Sequence, residues 1–241
     1  HPAFRENSLM QKFARKRAEA FLRQQVKDPE LLKKLIPDYS VGCKRVLFVD
    51  YYLKSLQKDH VQLVGRAVKA ITKHGIIDAD GDSHNFDVII YATGFNPFNI
   101  VSSMEVKGPD GSTLSDCWQE NIQSHKTVAV SGFPNFFMLL GPNSALGHNS
   151  VILMIEAQVN YIVKCLKKMR KNGWTSLNPK AGSQDEFNTF IQKQLKGTVW
   201  QGSCSSWYKD SDGQNFTIWP MSATRYMMNM RKPNFSEYDV K

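Results

Sequence analysis

The chain has 241 residues, of which 41% are hydrophobic and 11% aromatic, enough for a packed core and too much for a disordered chain. Its formal charge of +9 is scattered, crowding only at Arg5–Arg23 and Lys164–Lys171, which fits solvated helix faces and argues against a nucleic-acid partner. The longest apolar runs, such as Val151–Ile155, are far too short to span a bilayer, and the start lacks a secretory leader pattern, so the expectation is a cytoplasmic protein with no transmembrane segment. Cys43, Cys117, Cys165 and Cys204 lie far apart, with no C-x-x-C pair and no histidine at ligand spacing, which predicts reduced thiols and no metal site.

In chain order, apolar residues at helical spacing from Phe4 to Val26 predict an amphipathic helix with a basic outer face. Asp28-Pro29-Glu30 supplies a cap, a proline for the first turn and an early acid, so a short second helix should follow and close before Pro37. Arg45–Asp50 is a nearly continuous apolar run of the kind found in a buried parallel strand. A short helix near Tyr51–Gln57 and a strand at Val61–Val64 should complete an α/β unit. Ala70–Asp78 and Phe86–Tyr91 read as β segments flanking a turn at Asp80-Gly81-Asp82, and Gly108-Pro109-Asp110-Gly111 marks a second tight turn.

Beyond these, Phe136–Leu140 reads as a short strand ending in Gly141-Pro142-Asn143 and a polar loop. That loop feeds the clearest element, a long helix with Val151, Met154, Ile155, Gln158, Val159, Ile162, Val163, Leu166 and Met169 at three-and-four spacing and Gly173 past its end. Ser183-x-x-Glu186 predicts a capping box for a further helix carrying Phe187, Phe190, Ile191 and Leu195. The closing stretch, with Trp200, Trp207, Tyr208, Phe216 and Trp219 among glycines and serines, should cover the core. The methionines at 154, 169, 221, 227, 228 and 230 read as helix packing.

Two stretches carry the functional signal: DVIIYATGF from Asp87, and GFPNFFMLLGPNSALGHNS from Gly132. Each is an apolar strand ending in small residues that let a backbone approach a ligand closely, and the second opens a helix whose N-terminus suits an anion or a polarised ring. With Ile36-Pro37-Asp38-Tyr39, Gly42-Cys43-Lys44-Arg45, Asp50-Tyr51-Tyr52, Ser206-Trp207-Tyr208 and Asn215–Pro220, their order and spacing resemble the C-terminal half of the two-dinucleotide-binding flavoprotein monooxygenases, the Baeyer-Villiger type above all. No G-x-G-x-x-G fingerprint occurs in the 241 residues, which predicts a fragment or one chain of a split enzyme whose N-terminal half or partner chain supplies the FAD and NADPH glycine-rich turns.

The resemblance implies an α/β, Rossmann-like three-layer fold, with the later part of an NADPH-binding domain at residues 1–93 and the later part of an FAD-binding domain at 94–241. It implies FAD and NADPH as cofactors and a ketone or aldehyde as the small-molecule substrate, oxidised with one atom of dioxygen. Oxygenation at nitrogen or sulfur, and a non-catalytic use of the fold as an interaction module, stay open as alternatives. Serine-hydrolase, nucleoside-triphosphatase and zinc-peptidase signatures do not occur in the sequence.

By the same resemblance Arg45 is the catalytic residue, reaching the flavin and stabilising the anion formed with dioxygen, a task suited to a permanently charged fork. Lys44 would contact the 2'-phosphate of NADPH, whereas a plain basic pair at a sheet edge is the simpler account of both. Thr93 and Gly94 would approach cofactor, and Gly141, Pro142, Asn143, Gly147, His148 and Asn149 would line the flavin. A strand-to-helix turn explains the glycines of that loop but not the whole Gly-Pro-Asn run, and a lone loop histidine is commonly a surface hydrogen-bonding group. Trp207 would meet the nicotinamide nucleotide near the substrate pocket, or else plug the core.

Overall fold

The structure is a computed structural model; it describes residues 2–47, 50–94, 104–147, 149–202, 204, 206–210 and 212–241, with the backbone alone at Glu120. The described chain forms two compact units, one made of residues 1–15, 39–46 and 98–241 and the other of residues 16–38 and 47–97.

The first helix, α1 (Leu9–Gln25), and the second, α2 (Pro29–Leu35), fall where periodicity and capping put them. Asp28 accepts a hydrogen bond from the amide of Glu30, Pro29 opens the first turn, and the helix closes at Ile36 ahead of Pro37. A single turn, α3 (Tyr52–Ser55), follows. Then come three antiparallel strands in sequence order, β1 (Val68–Thr72), β2 (Gly75–Asp78) and β3 (Ser83–Asn85). The turn at Asp80-Gly81-Asp82 forms, but between β2 and β3: the expected single segment Ala70–Asp78 splits into the β1–β2 hairpin, and the strand after the turn is Ser83–Asn85. The turn is organised by the buried carboxylate of Asp78, which accepts from the amides of Asp80 and Asp82, sits 3.2 Å from Arg66 Nε and 3.0 Å from His84 Nε2. The His84 bond and the Arg66 charge hold that carboxyl below the usual aspartate range.

The larger unit is built around α5 (Val151–Asn172), which packs against α7 (Ala223–Met230) and ends at Gly173 in the left-handed conformation, φ 69°. Its inward stripe is Met154, Gln158, Tyr161, Cys165 and Met169. Against it lie Ile191 and Leu195 of α6 (Ala181–Leu195) together with Trp200, Ile218, Trp219 and Tyr226 in one buried cluster. A second cluster gathers Leu114 and Trp118 of α4 (Leu114–Glu120) with Ile122, Val130, Phe133 and Phe216. Helix α4 is not among the elements expected from the sequence; Thr113 caps it by accepting from the amide of Asp116. The tight turn at Gly108–Gly111 forms, closed by the Lys107–Thr113 bridge. Two short strands, β4 (Leu177–Pro179) and β5 (Tyr238–Val240), pair antiparallel. Trp200, Tyr208, Phe216 and Trp219 are buried, as expected of a core-covering stretch.

Among the described residues three expected strands are absent as paired elements and a fourth is reduced to a single bridge. Arg45–Leu47 is irregular and exposed, Leu47 being 72% accessible, and Phe48 and Val49 lie outside the described residues. Val61–Val64 and Phe86–Tyr91 are also irregular, with Ile90 86% exposed. The side chains are those of strands, but a buried parallel strand needs hydrogen-bonding neighbours on its edges and covering layers on its faces. No described strand of this chain lies alongside these segments. Phe136–Leu140 makes one bridge, Phe137 to Ala129, and a bond from the amide of Met138 to Val128; Leu140 then turns left-handed at φ 55°.

Two further expectations are corrected. The capping box at Ser183 does not form, because α6 starts at Ala181. Its entry is fixed by the β4–β5 pair and by the amide of Lys180 bonding to the carbonyl of Glu237, so tertiary pairing overrides the local cap. Nor are all cysteines reduced: Cys43 and Cys204, 161 residues apart, form a disulfide across Cα atoms 6.6 Å apart, while Cys117 and Cys165 are free.

Candidate functional site

The loop from Gly141 to Gly147 is held by polar groups of its own unit. Its entrance is fixed by Gln158 on α5, whose Oε1 accepts from the amide of Leu140 while Nε2 donates to the hydroxyl of Thr127, which also meets the Tyr226 hydroxyl. Gly141 passes so close to the Thr127 carbonyl that a Cβ there would come within 2.5 Å of it, which explains the glycine. Asn143 adopts φ 59° and donates from Nδ2 to the carbonyls of Asn215 and Ile218 at 3.0 and 3.2 Å. Ala145 then pairs in parallel with Ile218, and Asn215 in turn accepts from the amides of Thr217 and Ile218.

Gly141, Pro142 and Asn143 are therefore buried in this chain, with both Asn143 amide hydrogens engaged. They shape the loop. Gly147 lies against Trp200, Asn149 is exposed, and His148 lies outside the described residues. The loop delivers the chain to the start of α5, where Ser150 makes no side-chain cap bond and no acid occupies the first turn. A 22-residue helix thus presents an end with no Ser150 side-chain cap, partially positive, next to the exposed Asn149.

A second segment of the same unit, residues 39–46, carries the basic pair. Gln11 donates to the carbonyl of Val41, Gly42 turns at φ 89° beside the ring of Phe4, and Phe4 stacks on Trp200 with centroids 4.7 Å apart. Beyond this anchored turn both basic side chains are exposed. Lys44 Nζ lies 4.7 Å over the Tyr39 ring, a cation–π placement. Burial pushes the Tyr208 phenol up, and the charge of Arg45 partly opposes that rise. Tyr208 neighbours Trp207, ring centroids 4.4 Å apart, and Trp207 is 51% exposed, so it does not plug the core. The Cys43–Cys204 bond joins these two stretches, so Lys44, Arg45 and Trp207 sit close to one covalent link.

Thr93 and Gly94 belong to the other unit, both exposed, with Gly94 at φ 82° and nothing within 4 Å of a Cβ built there. Sequence reasoning missed Gln158, Thr127, Tyr226 and Asn215, the residues that hold the 141–147 loop. A glutamine on the apolar stripe of α5 was the one available signal for them. It also missed the buried His125, whose Nε2 lies 3.1 Å from Oε2 of the half-buried Glu237 and whose ring is edge-on to Tyr238. Burial lowers the His125 pKa to about 4 despite the attraction of Glu237, so the ring is neutral at pH 7.

No family model matches the chain. Among curated proteins it is 37% identical over 231 residues to a Baeyer-Villiger monooxygenase of Pseudomonas aeruginosa, covering 95% of this chain and 44% of that protein. A second Baeyer-Villiger monooxygenase, from Streptomyces coelicolor, is 36% identical over 217 residues, covering 89% and 42%. Among solved structures, OTEMO in complex with FAD and NADP superposes with a TM-score of 0.86 at 25% identity, covering 99% of this chain and 46% of that one. The chain corresponds to the C-terminal half of a Baeyer-Villiger-type flavoprotein monooxygenase. It spans somewhat less than half the length of these monooxygenases, and its mixed helices and strands are those of the α/β flavoprotein fold. Among the described residues no helix is long and apolar enough to cross a membrane.

Proposed function

We propose that this chain contributes the C-terminal side of an FAD- and NADPH-dependent monooxygenase that inserts one oxygen atom from dioxygen next to a ketone or aldehyde carbonyl, giving an ester or lactone. The observation that carries the reading is the 37% identity to a Baeyer-Villiger monooxygenase along 95% of the chain. In this reading residues 1–93 are the later part of the NADPH-binding domain and residues 94–241 the later part of the FAD-binding domain. A separate polypeptide or the preceding half of the same one supplies the glycine-rich turns. A cytoplasmic setting goes with the use of NADPH.

The residues present fit a flavin. The uncapped start of α5 favours negative charge on the ring, and the Gly141–Gly147 loop reaches that end already rigid. Asn143 serves by fixing the loop, while Gly147 and Asn149 line the flavin. When bound, FAD supplies the redox and oxygen chemistry, drawing electrons from NADPH. Arg45 holds a fixed positive charge where negative charge develops; Lys44, steadied on Tyr39, grips the 2'-phosphate of NADPH. Trp207 offers its exposed ring to the nicotinamide nucleotide beside the substrate, and Thr93 and Gly94 let backbone approach cofactor.

The test uses enzyme assembled from this chain and an N-terminal half bearing both glycine-rich turns. Arg45→Ala should slow ester formation roughly a hundred- to a thousand-fold, the usual cost of losing one preorganised charge, while NADPH still bleaches the flavin band. Wild-type ester formation by Arg45→Ala would refute the assignment.

A further inference from the structure

The Cys43–Cys204 bond has no part in the proposed chemistry, yet it sits at the junction of the two segments that carry the exposed candidate residues. Cys43 is buried in the Ser40–Cys43 turn, its amide bonded to the carbonyl of Ser40, and Lys44 and Arg45 follow directly. Cys204 is half-buried and lies three residues before Trp207. Besides the disulfide, residues 39–46 are held by the Gln11 bond to Val41, by Phe4 and Val199 beside Gly42, and by Tyr39 packing against the buried cluster that contains Cys43.

We infer that the Cys43–Cys204 disulfide is a thiol-sensitive tether that holds the Lys44–Arg45 segment against the loop carrying Trp207 and Tyr208. A small-molecule thiol attacks the more accessible Sγ of Cys204 as its thiolate; the S–S bond breaks and Cys43 leaves with the electron pair. A second thiol then attacks the outer sulfur of the mixed disulfide. Overall one disulfide and two thiols give two cysteine thiols and one external disulfide, with the protein reduced and the small thiol oxidised. In a cytoplasmic protein a disulfide is typically transient and redox-sensing, which matches a bond placed beside site residues.

The consequence for catalysis rests on the role proposed for Arg45, but the tether itself is tested on this chain alone, so the two can fail separately. The purified 241-residue chain is equilibrated with oxidised glutathione or with dithiothreitol. Thiols are then counted in denaturant, and tryptic cleavage after Lys44 and Arg45 is timed in the folded protein against cleavage after Lys171. The oxidised chain should show the two thiols of Cys117 and Cys165, and the reduced chain all four. Reduction should speed cleavage after Lys44 and Arg45 about tenfold, since local opening governs proteolysis of a folded chain. Cys204→Ser should be cleaved at the fast rate in both conditions, and Cys117→Ser should respond to thiol as the wild type does. Four titratable thiols in the oxidised chain, or a cleavage rate indifferent to reduction in the wild type, would overturn the inference. So would a response abolished by Cys117→Ser.

Discussion

The Gly141–Gly147 loop and the Val88–Tyr91 segment carry the same sequence logic, an apolar run ending in small residues, and end in opposite states. The first is closed from within. Asn143, Gln158 and Asn215 supply its hydrogen bonds, and α5 and the 215–219 stretch cover it. The second is left open, with Val88, Ile90 and Tyr91 all exposed. The difference lies in where the partners come from. A loop braced by side chains of its own unit needs nothing else, whereas a strand for a parallel sheet needs neighbours on both edges. The chain spans 44% of its Pseudomonas relative, and in the proposed reading the absent part supplies those neighbours.

The comparison is sharpened first by Asn143→Ala, which should have the largest effect. It strips the buried Ile218 carbonyl of the Asn143 donor, leaves the Asn215 carbonyl to Gln192 Nε2, and places an ordinary residue at φ 59°, so urea unfolding should show a loss of about 2–4 kcal/mol. A cost under about 0.5 kcal/mol, the level of an ordinary surface change, would mean the loop is not braced as described.

Acid should loosen the braced unit next. His125 is neutral when folded, with its pKa lowered to about 4, whereas in the unfolded chain it protonates near the ordinary value of about 6.5. Between those values the unfolded state binds the extra proton, so stability is complete above pH 6.5 and falls as pH drops toward 4. The loss should be about 1–3 kcal/mol. Unfolding midpoints of His125→Gln measured across that window should lose most of the slope; an unchanged slope would assign it to other groups.

Two smaller effects probe the exposed side chains. In assembled enzyme Lys44→Ala should weaken NADPH about tenfold, or about 1.4 kcal/mol, with little change for NADH, because only NADPH carries the extra phosphate. Equal weakening of both nucleotides in a calorimetric titration would place Lys44 on the shared pyrophosphate or in folding. Smallest of all, Ile90→Ser in this chain alone should change stability by no more than about 0.5 kcal/mol, since the side chain is already in water. A larger loss would show that Val88–Tyr91 is packed in solution.

What sequence reading captured follows the same division. Helices were legible because their signals are local: the three-and-four stripe of α5 with Gly173 behind it, and the Asp28-Pro29 start of α2. Strands at Arg45–Asp50 and Phe86–Tyr91 were legible as composition but could not be checked for partners, which lie far off in sequence. The capping box at Ser183 misled because a pairing with residues near 238 sets where α6 begins. In the candidate site the Gly-Pro-Asn run stood out, but the work of Asn143 did not, since its acceptors lie some seventy residues away. The Cys43–Cys204 pairing was likewise invisible, as spacing alone does not report proximity.

The absorbance spectrum of the purified chain, taken alone and after mixing with an N-terminal half that carries both glycine-rich turns, tests most directly the claim that this chain holds one side of a divided flavin site. Alone it should be colourless after incubation with FAD and gel filtration, because the pyrophosphate-binding turn is missing from its sequence. With the N-terminal half present it should retain the yellow flavin band in stoichiometric amount. A chain that alone keeps one equivalent of flavin, or a complemented pair that keeps none, would contradict the account.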